Sequence, residues 1–167
     1  MKIVPSLFLG TTLLFLPACT YFDTSVTQQP FQTKNTINTS AYNVLCMGDK
    51  LIRNGVIVKG SCWDYIDYTF TKAGVPQHKR LTVFKSKKRG PYVNSKKIKA
   101  GDWLYFLNRS YHNSEHSGIF IRWVDKSKKM ATLLSYQGEG KRKPARYKNY
   151  ILTHVYNIMR TNDKKCE

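Results

Sequence analysis

The order in which apolar residues change their spacing constrains this chain more than any other feature. They recur first at helical intervals and only later in short runs cut by turn residues. Over 41–54, Val44, Leu45, Met47, Leu51 and Ile52 form one stripe, with Thr39 or Ser40 placed to cap the helix and Gly55 to stop it. A second helix is predicted over 61–72, where Trp63, Ile66, Phe70 and Ala73 should face the core, and Gly74 and Pro76 end it. Residues 77–99 read as basic and irregular, with a turn at Gly90-Pro91. The turn Ala100-Gly101-Asp102 leads into a strand over 103–107, and further strands are expected over 116–124, 130–137 and 151–159. A polar loop (108–115), a hairpin turn (125–129) and a basic loop (138–148) separate them. Helices first and strands after them give an α+β fold, N-terminal helices packed on an antiparallel meander sheet.

The N-terminus sets the compartment. Met1-Lys2 is followed by an apolar run to Leu16 and then by Pro17-Ala18-Cys19, the layout of a secretory signal too short to span a bilayer. Leu16-Pro17-Ala18-Cys19 also resembles a bacterial lipobox, with Cys19 the residue that receives lipid, although Pro17 is an unusual occupant. The expected organisation is a signal peptide over 1–18, a Ser/Thr/Gln/Asn-rich tether over 19–39, one domain over 40–160 and a tail over 161–167. The expected location is the bacterial cell envelope, at the outer membrane or cell surface, because Thr20 supplies no acidic signal after Cys19.

Export also governs how charge and cysteines read. Lys and Arg total 28 against 10 Asp and Glu, a formal charge of +18. Such an excess attracts anionic partners. In an exported chain these are an anionic wall polymer or lipid, and nucleic acid is not expected. With Cys19 lipidated, Cys46, Cys62 and Cys166 remain. Pairing Cys46 with Cys166 leaves Cys62 a thiol; equally, Cys46 can be a buried thiol and Cys166 a residue of a frayed tail.

Two short stretches carry chemistry. Cys62 directly follows Ser61, a good helix cap, so its sulfur should lie near free backbone N–H groups that lower a thiol pKa and can stabilise an oxyanion. His116 opens the apolar strand Ser117-Gly118-Ile119-Phe120-Ile121, where Gly118 permits a close approach. A thiol and an imidazole together make an activated nucleophile and its base. His78, His112 and His154 have only ordinary surface or strand readings. No two of the four histidines stand at ligand spacing and no Cys-x-x-Cys occurs, so neither metal nor other cofactor is expected.

These pieces, in this order, resemble the NlpC/P60 family of papain-like cysteine peptidases, which cut amide bonds in bacterial cell-wall peptides. The matching parts are Cys62-Trp63-Asp64-Tyr65-Ile66 with Phe70 and Ala73-Gly74-Val75-Pro76, then Ile98-Lys99-Ala100-Gly101-Asp102-Trp103, then His116-Ser117-Gly118-Ile119-Phe120-Ile121, spanning 55–137. The resemblance implies a papain-like architecture, peptidoglycan stem peptides as substrate, Cys62 as nucleophile and His116 as base. The chain departs from the family at the nucleophile, where Ser61-Cys62-Trp63-Asp64 stands in place of Asp-Cys-Ser-Gly, and in the approach Asn54–Gly60. A third polar residue should orient the imidazole from the next strand. Gln137 and Ser135 share one face there, Gln137 being preferred for its reach and Ser135 the alternative.

The divergence also admits a related papain-like amidase or acyl hydrolase. A second class of function is a non-catalytic envelope lipoprotein that holds an anionic wall or membrane component. In either class the basic runs Lys85-Ser86-Lys87-Lys88-Arg89 and 141–146 can flank a cleft, press on anionic headgroups, or simply be solvated loops.

Overall fold

Capping and pairing place each element of the computed structural model, which describes residues 38–162. The expected signal peptide, lipidated Cys19, most of the tether and Cys166 lie outside the described residues. Helix α1 (Thr39–Arg53) starts where the Asn38 side chain accepts from the Ala41 amide, at 2.6 Å, one or two residues before the caps expected from sequence. Helix α2 (Cys62–Lys72) starts at Ser61 in a reciprocal capping box with Asp64. Six strands follow: β1 (Arg80–Lys85), β2 (Trp103–Asn108), β3 (Ser114–Asp125), β4 (Met130–Ser135), β5 (Arg146–Ile151) and β6 (Val155–Thr161). All pair antiparallel in the order β1-β6-β2-β3-β4-β5. No helix among the described residues is long and apolar enough to cross a membrane.

The meander is real from β2 to β5, but two expectations change. Residues 80–85, expected to be irregular, form an edge strand on β6, and their weak alternation of burial hid it. The single strand expected over 151–159 is two strands. At Leu152–His154 the chain leaves the β4 edge, where the Leu152 amide donates to Lys129 O, and returns beside β2 on the far side of the sheet. Part of the basic loop expected over 138–148 is thereby the start of β5.

The two faces of the sheet have different partners. Leu104, Phe106, Phe120, Leu133, Tyr150 and Ile158 belong to one buried cluster. Trp103 turns the other way, onto Phe70 of α2, with ring centroids 5.7 Å apart. Tyr65 stacks on Tyr136 at 4.5 Å. The Arg80 guanidinium, itself almost wholly buried, fixes α2 to β1: it donates to Asp67 Oδ1 at 2.5 Å and to Val75 O at 2.9 Å. It also lies over the rings of Phe70 and Trp103. Ile66 and Phe70 are buried as expected, whereas Trp63 is 46% exposed. Trp63 sits in the first turn of α2, 5.5 Å from the Trp103 ring, and its indole N–H donates to Tyr105 OH at 2.9 Å.

The turn before β2 is the point where most elements meet. Asp102 is fully buried, and its carboxylate accepts from the Lys99 amide at 2.7 Å and from Arg160 Nε and Nη2 of β6 at 2.6 and 2.8 Å. The Gly101 amide donates to Phe120 O, and the Phe120 amide donates to Asp102 O, so the turn is laced to β3. Gly101 has φ +85° and touches Ala41 of α1, so a side chain there would meet both backbone strain and the helix. Arg160→Ala leaves this carboxylate buried with only one amide donor. It is expected to cost about 3 kcal/mol, read as a lowered urea midpoint with an unchanged slope.

Candidate functional site

The loop into α2 is built to hold Cys62 in place. Gly60 has φ +105°, and a Cβ there would collide with Asp64 Oδ2. That oxygen accepts from both the Ser61 amide and the Ser61 hydroxyl, each at 2.7 Å, while Ser61 Oγ accepts from the Trp63 amide at 3.2 Å. The approach is tied to the connection after β4: the Glu139 amide donates to Gly60 O at 2.9 Å, and Tyr136 OH donates to Val58 O at 2.7 Å. Cys62 is half-buried at the first position of the helix and forms no disulfide with Cys46. A pairing of Cys46 with Cys166 lies outside the described residues.

His116 faces the interior side of the sheet. It is opposite Phe106 of β2, and the two rings meet edge to face at 5.6 Å. Ser135 of β4 is paired with Gly118, two residues further along β3 on the same face as His116. Because Gly118 carries no side chain, the imidazole leans across the diagonal to Ser135. Its Nε2 lies 2.9 Å from Ser135 Oγ and 3.1 Å from Tyr150 OH, and those two hydroxyls are 2.7 Å apart. Nδ1 has no hydrogen-bond partner among the described residues. Gln137 follows the end of β4, where alternation no longer applies; it is exposed and accepts from Arg146 Nη2 at 3.1 Å. Of the two sequence candidates for the third residue, the register therefore puts Ser135, not Gln137, at the ring.

Tyr150 is the second hydroxyl at the ring. Burial pushes its hydroxyl pKa up, the Ser135 hydrogen bond and the Arg146 charge pull it down, and the charge of Cys62 pushes it up. Tyr105 is likewise raised by burial, to about 12, with the Trp63 hydrogen bond opposing and Cys62 adding a smaller upward push. Cys62 and His116 make no direct hydrogen bond; such contacts are often long until substrate tightens them. Tyr150 was not visible in the sequence because 141–148 reads as a basic loop. The alternation of Arg146-Tyr147-Lys148-Asn149-Tyr150 was the available signal.

Among the described residues no carboxylate is hydrogen-bonded to His116. Burial, with the Lys148 charge adding to it, lowers the imidazole pKa to about 4. His78 lies in a 3-10 turn, His112 in a tight turn with φ 52°, and His154 bonds Thr153 and packs on Tyr92. Among the described residues no group of three or more His, Cys, Asp or Glu is placed to hold a metal ion.

No family model matches the chain, and no curated protein matches it. Among solved structures, it is similar to the wild-type endolysin LysIME-EF1, with a TM-score of 0.50 at 16% identity. The match covers 75% of this chain and 65% of that one, less than two thirds of the endolysin's length. At that identity the likeness is one of fold.

The depressed imidazole has a stability signature. Between the ordinary value of 6.5 and about 4 the unfolded chain binds a proton that folded His116 refuses. Stability held above pH 6.5 is therefore expected to fall as the pH drops through that window. Urea midpoints for wild type and His116→Phe should converge on acidification from pH 7 to 4.5, and the His116 ring carbon resonances should show a midpoint near 4.

Proposed function

We propose that this protein is a cysteine hydrolase of the bacterial cell envelope that cleaves peptide amide bonds of peptidoglycan, a divergent papain-like enzyme of the NlpC/P60 type. The observation that carries the reading is a strand imidazole, His116, held by the hydroxyls of Ser135 and Tyr150, in a chain that also sets a thiol, Cys62, at the capped start of a helix. An endolysin with a similar fold, a class of peptidoglycan hydrolases, supports the substrate class. Lipid on Cys19 would hold the enzyme to its membrane, beside the wall.

The chemistry follows from the positions. Cys62 Sγ attacks the amide carbonyl and its proton passes to His116 Nδ1, while the Cys62 N–H at the start of α2 is placed to stabilise the oxyanion. The C–N bond then breaks as His116 returns the proton to the departing amine, leaving a thioester. Water attacks the thioester, His116 again taking a proton, and the carboxylic acid leaves with the thiol restored. Ser135 and Tyr150 hold Nε2, which leaves Nδ1 as the nitrogen that takes the proton. They are positioning residues.

Release of muropeptides from purified sacculi, followed by mass spectrometry, tests this. Cys62→Ala is expected to abolish release, and His116→Ala to lower it by about a thousandfold. An active Cys62→Ala protein would overturn the reading. Ser135→Ala and Tyr150→Phe are expected to lower kcat and kcat/KM together, on the order of 100-fold when both are changed. A change confined to KM would place these hydroxyls in substrate binding instead.

A further inference from the structure

Beside the His116 pair lies a pocket of about 230 Å³ whose walls include Ser135, Gln137, Lys143 and Arg146. Ser135 is 2% exposed and belongs to both: its hydroxyl meets His116, and the residue is part of the pocket wall. The pocket thus begins within one side chain of the imidazole.

Its charge has one sign. Strand alternation puts Arg146, Lys148 and Tyr150 of β5 on one face, the face on which Ser135 lies opposite Arg146. The Lys148 ammonium sits 5.2 Å from the centre of the Tyr150 ring. Lys143 enters from the loop before β5. No carboxylate among the described residues forms an ion pair with Lys143, Arg146 or Lys148, whereas Arg53, Arg80, Lys88, Lys128 and Arg160 each have one. Gln137 accepts from only one Arg146 nitrogen, so the guanidinium fork is steadied and retains donors for a planar anion. Uncompensated cations crowded beside an imidazole that has to accept a proton act against that step, unless the substrate brings the opposite charge. The charge of Arg146 reaches the Tyr150 hydroxyl and that of Lys148 reaches His116, so both cations are electrically part of this neighbourhood.

We infer that the pocket walled by Ser135, Lys143 and Arg146 is a specificity subsite that binds a free carboxylate of the same peptide whose amide bond is cut. This rests on the hydrolase reading for the identity of the ligand, and it adds to that reading which peptides are taken: those carrying a carboxylate close to the scissile bond rather than their carboxamide forms. A bound carboxylate also offsets the field of Lys148 on His116 and so favours the protonated ring during turnover.

The test uses one soluble stem tripeptide prepared twice, with its carboxylates free and with all of them converted to carboxamides. Binding of each to the Cys62→Ala protein is measured by calorimetry, and turnover of each by the intact enzyme. At least tenfold tighter binding of the carboxylate form is expected, falling to less than twofold in Cys62→Ala/Lys143→Gln/Arg146→Gln. The charge-preserving combination Lys143→Arg/Arg146→Lys should keep most of the discrimination, which excludes mere loss of folding. Equal binding of the two peptides to the Cys62→Ala protein would overturn the subsite, whatever the turnover. Turnover without preference in the intact enzyme would leave the hydrolase and remove the subsite. Preference in binding with no turnover of either form would do the reverse. Inorganic phosphate binding more tightly than the carboxylate peptide would assign the pocket to a phosphate-bearing wall component, and that too would overturn the inference.

Discussion

A carboxylate taken out of water must be met by charge and hydrogen bonds or it destabilises whatever encloses it. Asp102 is fully buried, and its carboxylate is met from two places in the chain, its own turn through the Lys99 amide and β6 through Arg160, while the turn is laced to β3 through the Gly101 amide and the Asp102 carbonyl. α1 rests on the same turn through Ala41. This constraint decides where β6 can lie, and β6 in turn carries β1 and with it Arg80, the residue that fastens α2. The place of α2 on the sheet is thus linked, through β6 and β1, to how one buried charge is satisfied.

The site has a different logic. Its imidazole is held by two hydroxyls rather than by a carboxylate or an amide, and those hydroxyls also bond one another. The hydroxyls fix the ring's orientation, and burial, with the Lys148 charge adding to it, makes the ring favour its neutral form. The cations of β5 and of the loop before it make the same site favourable for an anionic ligand.

Much of the frame was legible in the residues. The glycine and proline breaks, the cap at Ser61 and the turn at Gly101 marked both helices and three strands to within a few residues. The turn at 100–102 was visible as a turn, but not as the meeting point of four elements, because Arg160 lies far away in sequence. Strand β1 was missed because an edge strand buries little, so its sequence shows little alternation. Trp63 was expected inside on helical spacing alone; spacing does not say how far the first turn of α2 is covered, and there the indole stays half-exposed and is held by Tyr105.

By itself the sequence determined the α+β order of elements, the placing of Cys62 at a helix start and the placing of His116 near the start of a strand. Each of these depends on residues a few positions apart, through caps, turns and periodicity. The tertiary structure alone decided which groups surround the imidazole. Ser135 comes to the ring through the pairing of β3 with β4, and Tyr150 and Arg146 through the pairing of β4 with β5. Alternation along a strand tells which residues share a face, but not which residues of another strand they meet. That is fixed by register, and register is set by packing between segments far apart in the chain.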